Sequence, residues 1–70
     1  MELFPERLKD LRLEKNVTQR AIAAYLNITD TAYGFYEQGK NYPNMEVLLK
    51  IADYFGVSLD YLMGRDDKKN

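Results

Sequence analysis

A chain of seventy residues, 46% of them hydrophobic, with a formal net charge of −1, has room for a single domain with a modest core, because so short a chain buries only about 60% of its unfolded surface. With neither cysteine nor histidine, a disulfide framework and the usual ligands of a structural zinc are excluded, and no cofactor is expected. No apolar run approaches the roughly 18–20 residues that span a bilayer, and MELFPERLKD lacks the basic-then-apolar pattern of a secretory signal, so the expectation is a cytoplasmic protein with no membrane partner.

Phe4, Leu8 and Leu11 recur at i, i+4 and i+7, the spacing of one helical face. Pro5 suits a first turn, where its missing N–H costs nothing. Glu6 and Asp10 early and Lys15 late match the helix dipole. A first helix is therefore predicted over Pro5–Lys15, with Asn16 as a left-handed stop. Arg12 borders its apolar face, an unusual place for a guanidinium without a partner. Thr18 caps a second helix running to about Leu26, with Ile22 and Leu26 at i and i+4 and the small Ala23 and Ala24 permitting close helix crossing. Asn27 supplies the positive φ of a tight corner, and Ile28 buries there.

Thr29 caps a third helix that stops at Gly39. By the i, i+3, i+4 rule, Ala32, Tyr33, Tyr36 and Glu37 share a face, predicted inward because it continues the apolar surface. Asp30, Thr31, Gly34, Phe35 and Gln38 share the exposed face. Gly39 to Pro43 is a loop. Asn44 caps a fourth helix in which Met45, Leu48, Ile51, Ala52 and Phe55 keep helical period, and Gly56 ends it. Ser58 caps a short fifth helix over Leu59–Met63, closed by Gly64, with Val57 and Leu62 on the core. RDDKKN has no core position and reads as a frayed tail. The reading is an all-α domain over residues 1–64, followed by a polar tail or start of a linker over 65–70.

Two capped helices joined at a three-residue corner, Thr18 to Gly39, are the sequence form of a helix-turn-helix, whose second helix is commonly offered to a DNA groove. The segments RLKDLR (7–12), TQRAIAAYL (18–26), YEQGKNYP (36–43) and LLKIADYFGVSLDYLMGR (48–65) resemble, in this order, the Cro/lambda-repressor-like (XRE-type) helix-turn-helix regulators. The resemblance implies a compact five-helix domain that docks its third helix in the major groove of double-stranded DNA as a transcriptional regulator, a repressor of phage or mobile-element type. It also implies a structural ion pair between Arg12 and Glu37, and a homodimer on half-sites about 34 Å apart. Leu59, Tyr61 and Met63 are the candidates for its contact.

On this resemblance Thr18, Gln19, Gln38, Lys40, Asn41 and Tyr42 are the phosphate-contacting candidates, set at a helix N-terminus and in the loop after the third helix. From the residues alone, Gln19 and the loop could equally be solvated, and Arg20 and Lys15 add positive field near the second helix. The base-reading candidates are Asp30, Thr31, Gly34 and Phe35. Asp30 would accept from a cytosine amino group, Thr31 pair with donors or acceptors, Phe35 lie on thymine methyls, and Gly34 allow close backbone approach. Asp30 serves as well as a helix-stabilising carboxylate. An exposed Phe35 beside a glycine also fits a protein-binding anchor, so a domain that mainly binds a protein, as antitoxins or antirepressor partners do, is the alternative. Carboxylates scattered over helix surfaces offer no nucleophile–base constellation, so neither an enzyme nor a small-molecule substrate is expected.

Overall fold

The computed structural model describes residues 3–70; the first two residues of the predicted domain lie outside that range. Five helices follow in order: α1 (Phe4–Lys15), α2 (Gln19–Leu26), α3 (Asp30–Gln38), α4 (Met45–Phe55) and α5 (Leu59–Leu62). Among the described residues no strand occurs and no helix is long and apolar enough to cross a membrane.

The ends of these helices follow from local chemistry. Thr18, Thr29 and Asn44 each accept a hydrogen bond at 3.0 Å from the backbone N–H three residues on, and Ser58 does so at 2.9 Å, satisfying donors that a helix start leaves open. Asn16 and Asn27 stop α1 and α2 in the left-handed region, both at φ 60°. Beyond each stop the chain closes a Schellman bond, from Val17 to Arg12 and from Ile28 to Ala23. At both corners the residue that donates is a half-buried aliphatic, and at the second of them Ile28 packs against the core.

Phe4, Leu8 and Leu11 of α1, Ile22, Ala23 and Leu26 of α2, Tyr33 and Tyr36 of α3, Leu48, Ile51 and Ala52 of α4 and Leu62 of α5 form one core. Met45 keeps the α4 period but, as the first residue of the helix, is exposed. Leu59 and Tyr61 pack half-buried against the core.

At the meeting of α1, α2 and α3 the core carries a charge. Arg12 Nε and Nη2 donate to Glu37 Oε2 and Oε1 at 2.6 and 3.2 Å. Gln19 Nε2 adds a bond to Oε1 at 3.1 Å, and the Tyr33 hydroxyl one to Oε2 at 2.6 Å. The Glu37 side chain is only 4% exposed and that of Arg12 13%. Burial works to raise the Glu37 carboxyl, but the bonds from Arg12, Tyr33 and Gln19 outweigh it and hold the group below the usual carboxylate range. Burial, followed by the bond to Glu37, pushes the Tyr33 hydroxyl well above the ordinary tyrosine value. The bond to Glu37 raises Arg12 despite partial burial. Arg12 Nη1 is also engaged, with the Val17 carbonyl at 3.1 Å.

Two expectations change. Gly34 is not on the exposed face: it is buried, with Gln38 Nε2 and Gln19 Oε1 lying 3.7 and 3.8 Å from the position a Cβ would take. Long amide side chains from the helix's own last turn and from α2 fold over the gap a glycine leaves. The polar stretch after Gly64 is not frayed either. Arg7 donates through Nη1 to the carbonyls of Tyr61 and Asp66, lies 4.1 Å over the Tyr61 ring, and pairs with Asp67 at 3.3 Å. Lys69 reaches Glu14 at 2.9 Å, and the Ser58 N–H donates to the Lys69 carbonyl.

Three outcomes follow for stability. Because the folded Glu37 carboxyl is held below its ordinary range, its contribution is complete above the unfolded value and is lost as pH falls through the folded one. Glu37→Gln should cost about 3–5 kcal/mol in neutral urea melts, by stranding Arg12, and the gap to the parent chain should narrow with acidification; a gap independent of pH contradicts this. Tyr33→Phe should cost about 1.5–3 kcal/mol, the range for a bond to a charged group, whereas Tyr36→Phe, whose hydroxyl bonds to nothing among the described residues, should stay within about 0.5 kcal/mol. Gly34→Ala should stabilise by up to about 1 kcal/mol through helix propensity, since the added methyl meets only ordinary contacts.

Candidate nucleic-acid interface

Three local contacts follow one another along the outer side of α3, from its start to the loop beyond it. At one end, Arg20 Nε lies 3.4 Å from Asp30 Oδ2. In the middle, amide atoms of Gln19 and Gln38 each lie within 4 Å of the place a Cβ on Gly34 would take. At the other end, Lys40 Nζ stands 5.7 Å from the centre of the Phe35 ring. Helix α3 itself, DTAYGFYEQ, contains no lysine or arginine. Its N-terminus nonetheless presents backbone N–H groups, as does that of α2, and such ends favour anions.

The base-reading candidates fall into three situations. Thr31 is exposed, and Phe35 is 38% exposed with its ring on the outer surface. Asp30 is exposed but bonded to Arg20. Gly34 is buried, with amide atoms of Gln38 and Gln19 at 3.7 and 3.8 Å from the place of a Cβ.

The phosphate candidates divide as well. The Thr18 oxygen accepts from the Ala21 N–H as a cap, leaving its hydroxyl proton to donate. Gln19 is half-buried and spends one amide hydrogen on Glu37. Gln38, Lys40, Asn41 and Tyr42 are all exposed. Gly39, at φ 74°, turns the chain from α3 into this loop, and the backbone there lies against Pro5. Tyr42 leans toward Phe4, with ring centres 6.0 Å apart, and Asn41 Oδ1 accepts from the Tyr42 N–H at 3.0 Å. The loop is thus held from inside by Pro5, Phe4 and buried Pro43 while its polar groups face out.

Sequence reading brought Arg12 and Glu37 together but missed the two further donors to that carboxylate. Tyr33 was readable, since it stands at i−4 from Glu37 on the same helical face. Gln19 was not, because only the crossing of α2 over α3 turns it inward.

Residues 8–62 match the helix-turn-helix family. Among curated relatives, the chain is 42% identical over 64 residues to the HTH-type transcriptional activator BcrR of Enterococcus faecalis, covering 91% of this chain and 31% of that protein. It is 43% identical over 61 residues to the SPbeta prophage-derived uncharacterized HTH-type transcriptional regulator YonR of Bacillus subtilis, covering 87% and 56%. It is 45% identical over 60 residues to the cryptic phage CTXphi transcriptional repressor RstR of Vibrio cholerae, covering 86% and 54%. The chain therefore spans about a third to just over half of the length of these relatives. No solved structure matches it. With five helices, a capped corner between α2 and α3 and a family match over most of its length, the chain belongs to the Cro/lambda-repressor-like (XRE-type) helix-turn-helix family.

Proposed function

We propose that the chain is a sequence-specific DNA-binding transcriptional regulator that sets the outer face of α3 into a major groove. The observation that carries this reading is the outer side of α3: an uncharged reading surface around Thr31 and Phe35, bracketed by the cations Arg20 and Lys40. Flanking charges suit the two phosphate backbones that border a groove, while the neutral centre suits base edges and thymine methyls. Thr18, Gln38, Asn41 and Tyr42 add neutral donors for phosphate oxygens, and Gln19 offers its second amide hydrogen. The role is that of a repressor of phage or mobile-element type. Support for it comes from the prophage-derived YonR and the phage repressor RstR. We propose further that the domain acts as a homodimer on two half-sites, with Met63 and the outer edges of Leu59 and Tyr61 in its contact, and that it works in the cytoplasm without catalysis. The domain proper runs to about Gly64, and residues 65–70 are a polar tail that lies back against α1.

The experiment is selection of bound duplexes from a random pool, followed by affinity measurements across salt concentration. An enriched half-site should emerge, and log affinity should fall linearly with log salt at about 0.9 per phosphate neutralised. Failure to enrich any duplex at low salt sinks the reading. Phe35→Ala should then lose about 1–3 kcal/mol of discrimination at one or two base pairs, while binding to random duplex hardly changes.

A further inference from the structure

Two residues at the start of the motif are engaged by neighbours in a way that leaves one cation in the open. The Gln19 head is turned inward and donates to Glu37. The next residue, Arg20, points outward with its side chain 85% exposed, and its Nε donates to Asp30 Oδ2 at 3.4 Å, where the carboxylate is 54% exposed. Asp30 is the first residue of α3 and Arg20 the second of α2. The contact therefore joins the N-terminal turns of both helices on the outer surface. It uses Nε alone and leaves both Nη groups unbonded among the described residues.

An exposed ion pair of this kind adds little to stability, so the fold does not account for it. Its effect is on direction and charge. A guanidinium held through one nitrogen keeps its planar fork, which matches phosphate oxygens bidentately. A free carboxylate at the same place would repel the DNA backbone, and pairing cancels much of that field locally.

We propose that Arg20 is a DNA phosphate contact and that Asp30 is its positioning residue, holding the guanidinium through Nε so that both Nη groups stay available to the backbone. This rests on the DNA-binding reading above and assigns Asp30 a role through Arg20 in place of direct pairing with a cytosine amino group. Together with the N-terminal amides of α2, Arg20 forms the anion-facing corner that the inward turn of Gln19 would otherwise weaken.

The test compares the parent chain, Arg20→Ala, Asp30→Ala and the double variant on a selected duplex and on a random-sequence duplex, with anisotropy read between about 50 and 200 mM salt. Arg20→Ala should weaken binding to both duplexes by a similar factor and make the salt slope shallower by about 0.9, so that this fourfold rise in salt weakens the variant about 3.5-fold less than the parent. Asp30→Ala should weaken binding when Arg20 is present and strengthen it in the Arg20→Ala background, where the carboxylate only repels. Far-UV circular dichroism at the assay temperature checks that each variant is folded, with Asp30→Asn in place of any Asp30→Ala protein that is not. An unchanged slope in Arg20→Ala overturns the proposal, as does an Asp30 effect of the same sign in both backgrounds. A loss on Asp30→Ala confined to one base pair also overturns it, by making Asp30 a reader. If the parent chain itself binds no duplex, it is the DNA-binding reading that fails.

Discussion

One carboxylate sets the geometry of this domain. Glu37 of α3 accepts four hydrogen bonds, from Arg12 of α1, Gln19 of α2 and Tyr33 within α3. A carboxylate has about four lone-pair sites, so its capacity is filled. That matters because a buried charge with open valences is costly, and a fully satisfied one in a low dielectric is strongly directional. The surrounding contacts are aliphatic and aromatic, and hydrophobic attraction alone has no preferred direction. An apolar helix pair can roll by a few degrees and keep most of its buried area. The four bonds to Glu37 resist that roll, because each has a short range of acceptable lengths and angles. A buried ion pair commonly does little better in net stability than a well-packed apolar replacement. Here its contribution lies in fixing how α3 is rotated against the rest of the fold.

The rotation of α3 decides what faces outward, so the inner carboxylate and the outer face are linked. With Glu37 and Tyr33 turned in, Thr31 and Phe35 are turned out. Gln19 is drawn toward Glu37, and it lies with Gln38 across the gap over Gly34. A side chain longer than alanine at position 34 would lift these amides, whereas glycine or alanine lets them lie close to the helix. The outer surface is therefore shaped partly by side chains whose heads are held from within. Preorganisation of this sort reduces the ordering that binding must impose.

How much of this could be read from the chain depended on how local each signal was. Thr18, Thr29, Asn44 and Ser58 cap their helices through bonds that span three residues, and Asn16 and Asn27 stop theirs through their own backbone angles. These features travel with short sequence windows, so the helix limits were legible to within a residue. The inward placement of Tyr33, Tyr36 and Glu37 followed from period, and Arg12 stood out because a guanidinium beside an apolar face demands a partner. Gly34 went the other way. Helical period places it outside, but its burial comes from Gln19 of another helix and from the reach of Gln38. The tail was misread for a similar reason. Arg7 holds it through backbone carbonyls more than fifty residues away, and carbonyls carry no sequence signature.

A domain of net charge −1 can still fit a polyanion if its charges are sorted in space. Of the exposed acids other than Asp30 among the described residues, Glu6, Asp10 and Glu14 lie on α1, Glu46 and Asp53 on α4, Asp60 on α5 and Asp66 and Asp67 in the tail, outside α2 and α3. On α2 and α3 the one exposed acid, Asp30, is paired with Arg20, and Lys40 stands just past the end of α3 over Phe35. Few cations also mean few counterions released, so a single copy would have a shallow salt dependence and modest non-specific affinity. That favours discrimination, because the non-specific background on a long genome rises with charge whereas base-edge contacts do not. In the proposed homodimer the phosphate contacts double and so does the number of bases read. The free energies of two weak half-sites then add, less the cost of bringing the copies together. An uncharged outer helix face is thus compatible with selective binding, provided that Glu37 fixes its rotation and, as proposed above, Asp30 orients Arg20 beside it.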